Sequence, residues 1–453
     1  MTKNNALIIL VVSLVVIFRV FFDVINEIET HYEEAQYWVW SQNPSLSYLS
    51  KGPLIANAIS VSNFIFGQTY LGLKFFSYLA LIGSIFFLSL GSKQLSKNKN
   101  YFTTGLLISA LSPALFLLGG VASTDIFLFF FWSIALYAYI SFYVTRDERW
   151  FYIIALSVGL GILTKLSMIL FPLSILIYFL FSKMRKYFFS VHLYLAALLV
   201  LILSLPILIW NAQNDWVTIS HEIGHLVSSK PSQNAEILFL TLFVTIPSSL
   251  FLIQKEIRSK IFNARFGFLL YPILVMVIFF VIKSFSGKIQ PNWSIPVFLT
   301  AIPIFSSILY GLKRKIILPS LMIISSIFLL SNKDISSKFI AYDPLHPTRG
   351  WNNTFQNLFQ NETYSVLASD DYKLLSSSAY FMNEPNRLHL FSNNNTRPSH
   401  YNLWNRLETP TDNILYITYS NNEISDSNLA CTFIRSVDIY TRKQLTLYNC
   451  TSK

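Results

Sequence analysis

FYIIALSVGLGILTKLSMILFPLSILIYFLFS, residues 151–182, decides how this chain is threaded. Read as one helix, the segment extends about 48 Å at 1.5 Å per residue, well past the roughly 30 Å hydrocarbon core of a bilayer. Lys165 then sits near the bilayer centre, at a cost of about 2.5–3.5 kcal/mol. Breaking the run at Thr164-Lys165 gives two short spans with the lysine at their turn. Other apolar runs long enough to cross, roughly 20 residues each, occur near 5–22, 69–90, 102–118, 124–143, 190–210, 236–254, 266–284, 293–311 and 315–331. Of 453 residues 53% are hydrophobic and 13% charged, where soluble domains carry roughly 25% charged residues. The composition reads as a polytopic membrane protein.

Charge placement settles the break. With the split, Lys93, Lys97 and Lys99, then Arg146 and Arg149, then Lys183, Arg185 and Lys186 fall on one side, with Lys255, Arg258, Lys260, Arg265 and Lys313–Lys315. Without it, every cluster after residue 182 moves to the opposite face, against the positive-inside rule. Two short halves also suit a re-entrant pair. The parity gives about eleven spans with the N-terminus inside. The formal net charge of +11 is thereby explained by loops, not by a nucleic-acid groove. MTKNNALIILVVSLVVIFRVFF (1–22) has no small-residue cleavage site after its apolar run and reads as a retained span.

The same parity collects the polar residues on the outer face: loops 23–68, 119–125, the Lys165 turn, 211–235, 285–292, and a tail from about 335. The tail, Asn/Ser-rich with alternating runs NILYITYS (413–420) and QLTLYNC (444–450), predicts a small α/β domain over 335–453 beside a membrane domain over 1–334. SNNNTRP (392–398) reads as a turn. Cys431 and Cys450 both lie in this tail; they are either a disulfide, which needs an oxidising compartment, or free thiols. No internal repeat and no glycine-rich phosphate loop is visible.

The outer loops hold acids (Glu33, Glu34, Asp125), cations (Lys51, Lys165, Lys288), imidazoles (His221, His225) and polar aromatics (Trp210-Asn211, Trp216, Asn292-Trp293). Beside a membrane, this inventory suits group transfer from a lipid phosphate to a hydroxyl. A carboxylate takes the hydroxyl proton, cations stabilise the departing phosphate, and aromatic faces stack on a sugar. In HYEEAQYWVWSQNPSLSYLSKGPLIA (31–56) a helix over 33–42 places Glu33, Tyr37 and Trp40 on one face, as in a helix lying flat in the interface. Simpler readings stand beside these. Glu33-Glu34 suits a solvated helix start, Lys51 a snorkelling lysine, and Asp125 in Ser-Thr-Asp an N-cap. HEIGH (221–225) matches a bare zinc pattern short enough to arise by chance. Tyr401 and Trp404 suit either stacking on a ligand or a core.

EEAQYWVWSQNPSLSYLSKGPLIA resembles the first external loop of the polytopic GT-C glycosyltransferases, the group of the lipid A aminoarabinose transferase and bacterial protein O-mannosyltransferase-like enzymes. The resemblance continues through STDIFLFFFW (123–132), GLGILTKLS (159–167), PILIWNAQNDWVTISHEIGH (206–225), SGKIQPNW (286–293), SDDYKLLSSSAYF (369–381) and SHYNLWN (399–405). It implies an all-α membrane domain of GT-C type with a periplasmic α/β tail, in a bacterial inner membrane. It also implies inverting transfer from a polyprenyl-phosphate sugar to an envelope acceptor such as lipid A or lipopolysaccharide core. Glu33 takes the place of the base, with Glu34 beside it. Lys51, Lys165 and Lys288 take the donor phosphate, and Tyr37, Asp125, Asn211, His225, Asn292 and Trp293 the rest of the site. No cofactor and no metal are required, although Asp125, Glu34 and His225 could hold a divalent ion if their loops converge. Expected partners are the donor, a lipid or glycan acceptor and membrane lipid, without nucleic acid. A transporter or flippase of a lipid-linked sugar is the alternative; it predicts midplane charges and discontinuous helices in matching halves. The chain departs from the family pattern twice: the first acid is glutamate where aspartate is usual, and Gly52 replaces the first proline after Lys51, which predicts a looser backbone there.

Overall fold

The computed structural model describes residues 3–96, 100–227, 266–286, 290–308, 332, 348–360, 362–391, 399–404, 413–419, 429–439 and 444–452. The expected spans near 236–254 and 315–331, the turn at 392–398 and Lys288 lie outside the described residues. The chain forms two compact units. Unit 1 comprises Met1–Phe21, Lys51–Ile55 and Lys74–Ile327; unit 2 comprises Phe22–Ser50, Ala56–Leu73 and Phe328–Lys453.

Unit 1 is a helical bundle. Among the described residues four helices are long and apolar enough to cross a membrane. These are α1 (Lys3–Ile25), α4 (Tyr70–Ser96), α7 (Thr124–Thr145) and α10 (Val191–Gln213), each where the hydropathy pattern predicts a span. Their burial differs with position. The apolar window of α7 is 78% buried inside the protein and that of α10 only 17%, so α7 is the axis of the bundle and α10 faces its surroundings. The predicted span at 102–118 is broken into α5 (Asn100–Ala110) and α6 (Pro113–Leu118), because Pro113 starts a new helix and Ser112 caps it through the Leu115 N–H. Arg19 of α1 is buried and donates to the Phe116 and Leu117 carbonyls at the end of α6. Its guanidinium stands 1.8 Å from where a Cβ on Gly120 would be, which explains the second glycine of the following turn.

The break at Thr164-Lys165 is present. α8 (Trp150–Ile162) ends just before it, a 3-10 turn follows over Leu166–Ile169, and α9 (Leu170–Leu180) resumes. The Thr164 hydroxyl donates to Gly161 O at 2.6 Å and the Lys165 N–H to the same oxygen at 2.9 Å, closing α8. Neither half reaches the roughly 20 residues a full crossing needs. Two further apolar helices, α12 (Gly267–Ser286) and α13 (Ile295–Ile308), pack on α9, α5 and α7. Between α10 and α12 the described chain includes α11 (Val217–Val227).

Unit 2 combines part of the first loop with the tail. α2 (Tyr32–Gln42) is the predicted helix, but it does not lie on a surface. Tyr37, Trp38, Val39 and Trp40 are all buried, and α2 packs against α15 (Tyr372–Phe381) of the tail. Helix α3 (Leu54–Phe66), which enters this unit at Ala56, was expected as loop and is a short apolar helix. The tail carries a five-stranded mixed sheet in the order β2-β1-β3-β5-β4, from β1 (Val366–Ser369), β2 (Leu388–Leu390), β3 (Ile414–Tyr419), β4 (Leu429–Asp438) and β5 (Gln444–Ser452). α15 crosses between the parallel pair β1 and β2. β3, buried at five of its six positions, is a strand covered on both faces. α14 (Trp351–Leu358) and α16 (His400–Trp404) complete the described tail. Cys431 and Cys450 face each other across β4 and β5 and are joined by a disulfide.

Candidate active site

In unit 1 the sequence candidates converge on one acid. Asp125 is the second residue of α7, and the helix N-cap is Ser123, whose side chain makes no cap bond. Asp125 is therefore not the N-cap. Its Oδ1 accepts from Lys165 Nζ at 2.6 Å and its Oδ2 from Asn292 Nδ2 at 2.6 Å. The two charged side chains are nearly buried, 12% and 9% exposed, so neither would be tolerated there alone. The charge of Lys51 also reaches Asp125. Asn292 and Trp293 are delivered by a 3-10 turn, Pro291–Ser294, whose proline fixes its first residue. The Trp293 ring has Lys165 Nζ at 5.5 Å and Lys283 Nζ at 4.3 Å from its centroid, within cation–π range. The Ser123 hydroxyl, beside this cluster in sequence, is buried without a hydrogen-bond partner among the described residues.

The loop carrying Lys51 is fastened to the Lys165 turn. Leu54 N–H donates to Leu163 O at 3.1 Å. A Cβ on Gly52 would stand 2.1 Å from that same oxygen, a clash with backbone that no side-chain motion relieves. Gly52 thus permits a close approach between the two lysine-bearing segments. The expectation of a looser backbone is corrected: the glycine is there because the packing is tight.

In unit 2 the paired acids separate into two roles. Glu34 is 1% exposed and its Oε2 accepts from the His31 N–H at 3.0 Å, while His31 Nδ1 accepts from the Glu33 N–H. That is a reciprocal cap on α2. The carboxylate of Glu33 is partly exposed and has no hydrogen bond or ion pair among the described residues. Tyr37 is buried edge-on against Trp40 at 5.3 Å. Trp40 stacks on Tyr48 at 4.4 Å, and the His400 ring lies against both. His400 Nδ1 accepts from the Leu49 N–H at 3.1 Å. Burial pushes the imidazole down to about 3, so it is neutral at physiological pH and able to accept that bond. Tyr401 is fully buried with its hydroxyl on Ser376 and reads as core, whereas Trp404 is half-buried and meets His400 edge-on.

Two candidates lie elsewhere. Asn211 is buried near the end of α10, with Nδ2 donating to Ile207 O and Oδ1 accepting from the Thr218 N–H, so its amide joins α10 to α11. His225 is on α11; its side chain is outside the described residues, as is Lys288. Among the described residues, no three His, Cys, Asp or Glu side chains converge as a metal site. Sequence reasoning missed Lys283, which lay inside the run at 266–284. An ionisable residue in an apolar span is a functional signal by itself.

Comparison with known proteins agrees with this architecture. Residues 50–210 match the family described as dolichyl-phosphate-mannose-protein mannosyltransferase, a stretch that includes Lys51, Asp125 and Lys165. The lipid A galacturonosyltransferase RgtD of Rhizobium johnstonii is 31% identical over 203 residues, 43% of this chain and 41% of the relative. An uncharacterised protein of Aquifex aeolicus is 26% identical over 157 residues, 34% of this chain and 32% of that one. The matches thus span less than half the length of these relatives. Among solved structures, ArnT from Cupriavidus metallidurans bound to undecaprenyl phosphate superimposes with a TM-score of 0.72 at 13% identity, covering 98% of this chain and 97% of that one. The oligosaccharyltransferase AglB from Archaeoglobus fulgidus, in complex with an inhibitory peptide and a dolichol-phosphate, gives 0.51 at 10% identity over 86% and 65% of the two chains. The fold is the one ArnT has, in a multi-pass membrane protein.

Proposed function

We propose that this chain, a membrane protein with the ArnT-type GT-C fold, is an inverting glycosyltransferase that moves a sugar from a polyprenyl-phosphate donor to a cell-envelope acceptor of the lipid A or lipopolysaccharide-core class. The observation that carries this reading is the buried cluster in which Asp125 holds Lys165 and Asn292 while Lys165 and Lys283 share the Trp293 ring. Cations fixed in a water-poor interior stabilise a phosphate that gains charge as it leaves. Support for the donor and acceptor classes comes from the ArnT structure bound to undecaprenyl phosphate and from the lipid A galacturonosyltransferase relative.

In the reaction, Glu33 takes the proton of the acceptor hydroxyl and the oxygen attacks the anomeric carbon. The bond from that carbon to the phosphate oxygen breaks, and polyprenyl phosphate departs with the electron pair. Lys51 and Lys165 hold the phosphate, with Lys288 from the following outer loop as a further ligand. Asp125 holds Lys165 in place, and Asn292 fixes Asp125. Glu34 holds the start of α2, so Glu33 alone acts as base. Tyr37 and Asn211 act by packing, Trp293 by confining the lysines, and His225 belongs to the segment over the site. The Cys431–Cys450 disulfide fits an oxidising compartment. It therefore favours a periplasmic tail from about residue 335, while the charge parity of the loops favours an N-terminus in the cytoplasm and an inner-membrane location. A flippase would need ionisable groups disposed in matching halves of the chain, and the sequence shows no internal repeat.

The test is to incubate purified full-length protein in nanodiscs with radiolabelled undecaprenyl-phosphate hexose and lipid A. Release of undecaprenyl phosphate with label moving to lipid A is the expected result. Movement of intact donor between leaflets with no glycosidic bond cleaved would overturn the reading in favour of transport.

A further inference from the structure

Unit 2 contains a cleft of about 350 Å³ that none of the catalytic assignments uses. Its size falls within the range of small-molecule sites, roughly 300–1,000 Å³. Four carboxamides line it, from Gln42, Asn63, Gln68 and Asn383, together with the Ser60 hydroxyl and the rings of Trp38 and Phe64. Trp38 and Asn63 line it side by side; with the Asn63 amide turned so that its oxygen faces the indole, the Trp38 Nε1–H donates to that oxygen at 3.3 Å. Gln68 is braced by donating to Tyr380 O, and Gln42 to Ser41 Oγ. The Asn383 amide and the Gln42 and Gln68 amide oxygens have no partner among the described residues. Asn383 follows α15 with φ of 56°, a left-handed helix end that asparagine tolerates. That accounts for its backbone but not for its exposed amide.

We infer that this cleft binds an uncharged saccharide unit, the glycan of the acceptor. The assignment to the acceptor rests on the transferase reading; saccharide binding itself does not. A carboxamide both donates and accepts, as each sugar hydroxyl does, so several amides around one cleft match neighbouring hydroxyls. No lysine, arginine or histidine lines it to meet an anion, and no carboxylate to meet a cation. Three helices also end at the cleft: Gln42 is the last residue of α2, Phe64 and Gln68 flank the end of α3, and Asn383 follows α15. Helix C-termini carry partial negative charge, which disfavours phosphate and carboxylate and welcomes hydroxyl donors. Phe64, 91% exposed, offers an apolar face for the C–H side of a sugar. Val61 and Ile65, also exposed, extend that face along α3, which suits a sugar carried on a lipid.

The test is saturation-transfer NMR on the full chain in nanodiscs with maltotriose, chitotriose, galacturonate and glucose 6-phosphate as probes. We expect transfer to a neutral trisaccharide and none to the two anions. In a Gln42→Ala, Asn383→Gly double variant, affinity should fall about tenfold; glycine keeps the left-handed backbone, and an unchanged melting temperature verifies folding. Absence of transfer to both neutral probes, equal transfer to the anions, or an unaffected variant would each overturn the site. In glycosyl transfer the variant should raise KM for the lipid acceptor and leave KM for the donor unchanged; the reverse places the donor sugar here and overturns the acceptor assignment. Neutral saccharide binding by a chain that consumes no polyprenyl-phosphate sugar would keep the cleft and remove the transferase reading.

Discussion

In unit 1, Asp125 is the second residue of α7, and both of its carboxylate oxygens are held, one by Lys165 and one by Asn292. In unit 2, Glu33 is the second residue of α2, and its carboxylate has no such partner among the described residues. The two acids share a helix position and differ in what other elements bring to them. α7 receives a lysine from a helix break and an amide from a proline-fixed turn. At α2 the neighbouring Glu34 and His31 close the cap between themselves, which leaves Glu33 outside the network. An acid near a helix start is thus a clamp in one place and a candidate base in the other, and the difference is set by tertiary partners.

The largest effect should come from breaking the clamp. Asp125→Asn or Lys165→Met alone should destabilise the protein by about 3–5 kcal/mol, because each leaves a buried charge without its partner. The double variant should recover most of that loss. Chemical unfolding in detergent of the two single variants and the double checks this. Additive losses would show that the pair is not coupled. By contrast, Glu33→Gln should shift unfolding by less than about 0.5 kcal/mol.

How much of this contrast is legible in the sequence follows from where each signal resides. The break at Lys165 could be read because the length of 151–182 is local and charge parity is counted along the sequence, and neither needs a tertiary contact. The span at 124–143 and the strands at 413–420 and 444–450 could be read for the same reason. The burial of α2 could not be: α15, which covers it, comes from the far end of the chain, and an amphipathic face looks the same whether lipid or protein meets it. Asp125 read equally well as an N-cap, since nothing local says that Asn292 arrives beside it. Lys283 stayed hidden within an apolar run, and Gly52 suggested looseness because a sequence does not show Leu163 O approaching it.

A middle-sized effect should sharpen the comparison at the joint between lysine-bearing segments. Gly52→Ala forces the backbone off Leu163 O and should cost about 1–3 kcal/mol, with donor binding weakened as Lys51 moves relative to Lys165. Thermal unfolding together with donor KM checks both; an unchanged KM would show that the approach is not functional.

The effect that is smallest near neutral pH concerns His400, which braces the loop leading to Lys51 through the Leu49 N–H. Its folded pKa, about 3, lies below the ordinary 6.5 because burial disfavours the charged form. The unfolded chain therefore binds a proton below pH 6.5 that the folded chain does not. Stability is present above 6.5 and falls by up to about 1.4 kcal/mol per pH unit as pH drops from 6.5 towards 3. His400→Gln should flatten that part of the pH profile, and an unaltered slope would count against a buried neutral imidazole.

The most direct measurement is turnover of undecaprenyl-phosphate hexose in membranes carrying wild type, Glu33→Gln or Glu34→Gln at matched expression, with donor binding measured in parallel. If Glu33 is the base and Glu34 its structural neighbour, Glu33→Gln lowers kcat by about 10²–10⁴ with donor affinity retained. Glu34→Gln then keeps transfer within about tenfold, its loss being that of a helix cap. Equal losses in the two variants, or wild-type turnover in Glu33→Gln, would contradict the account.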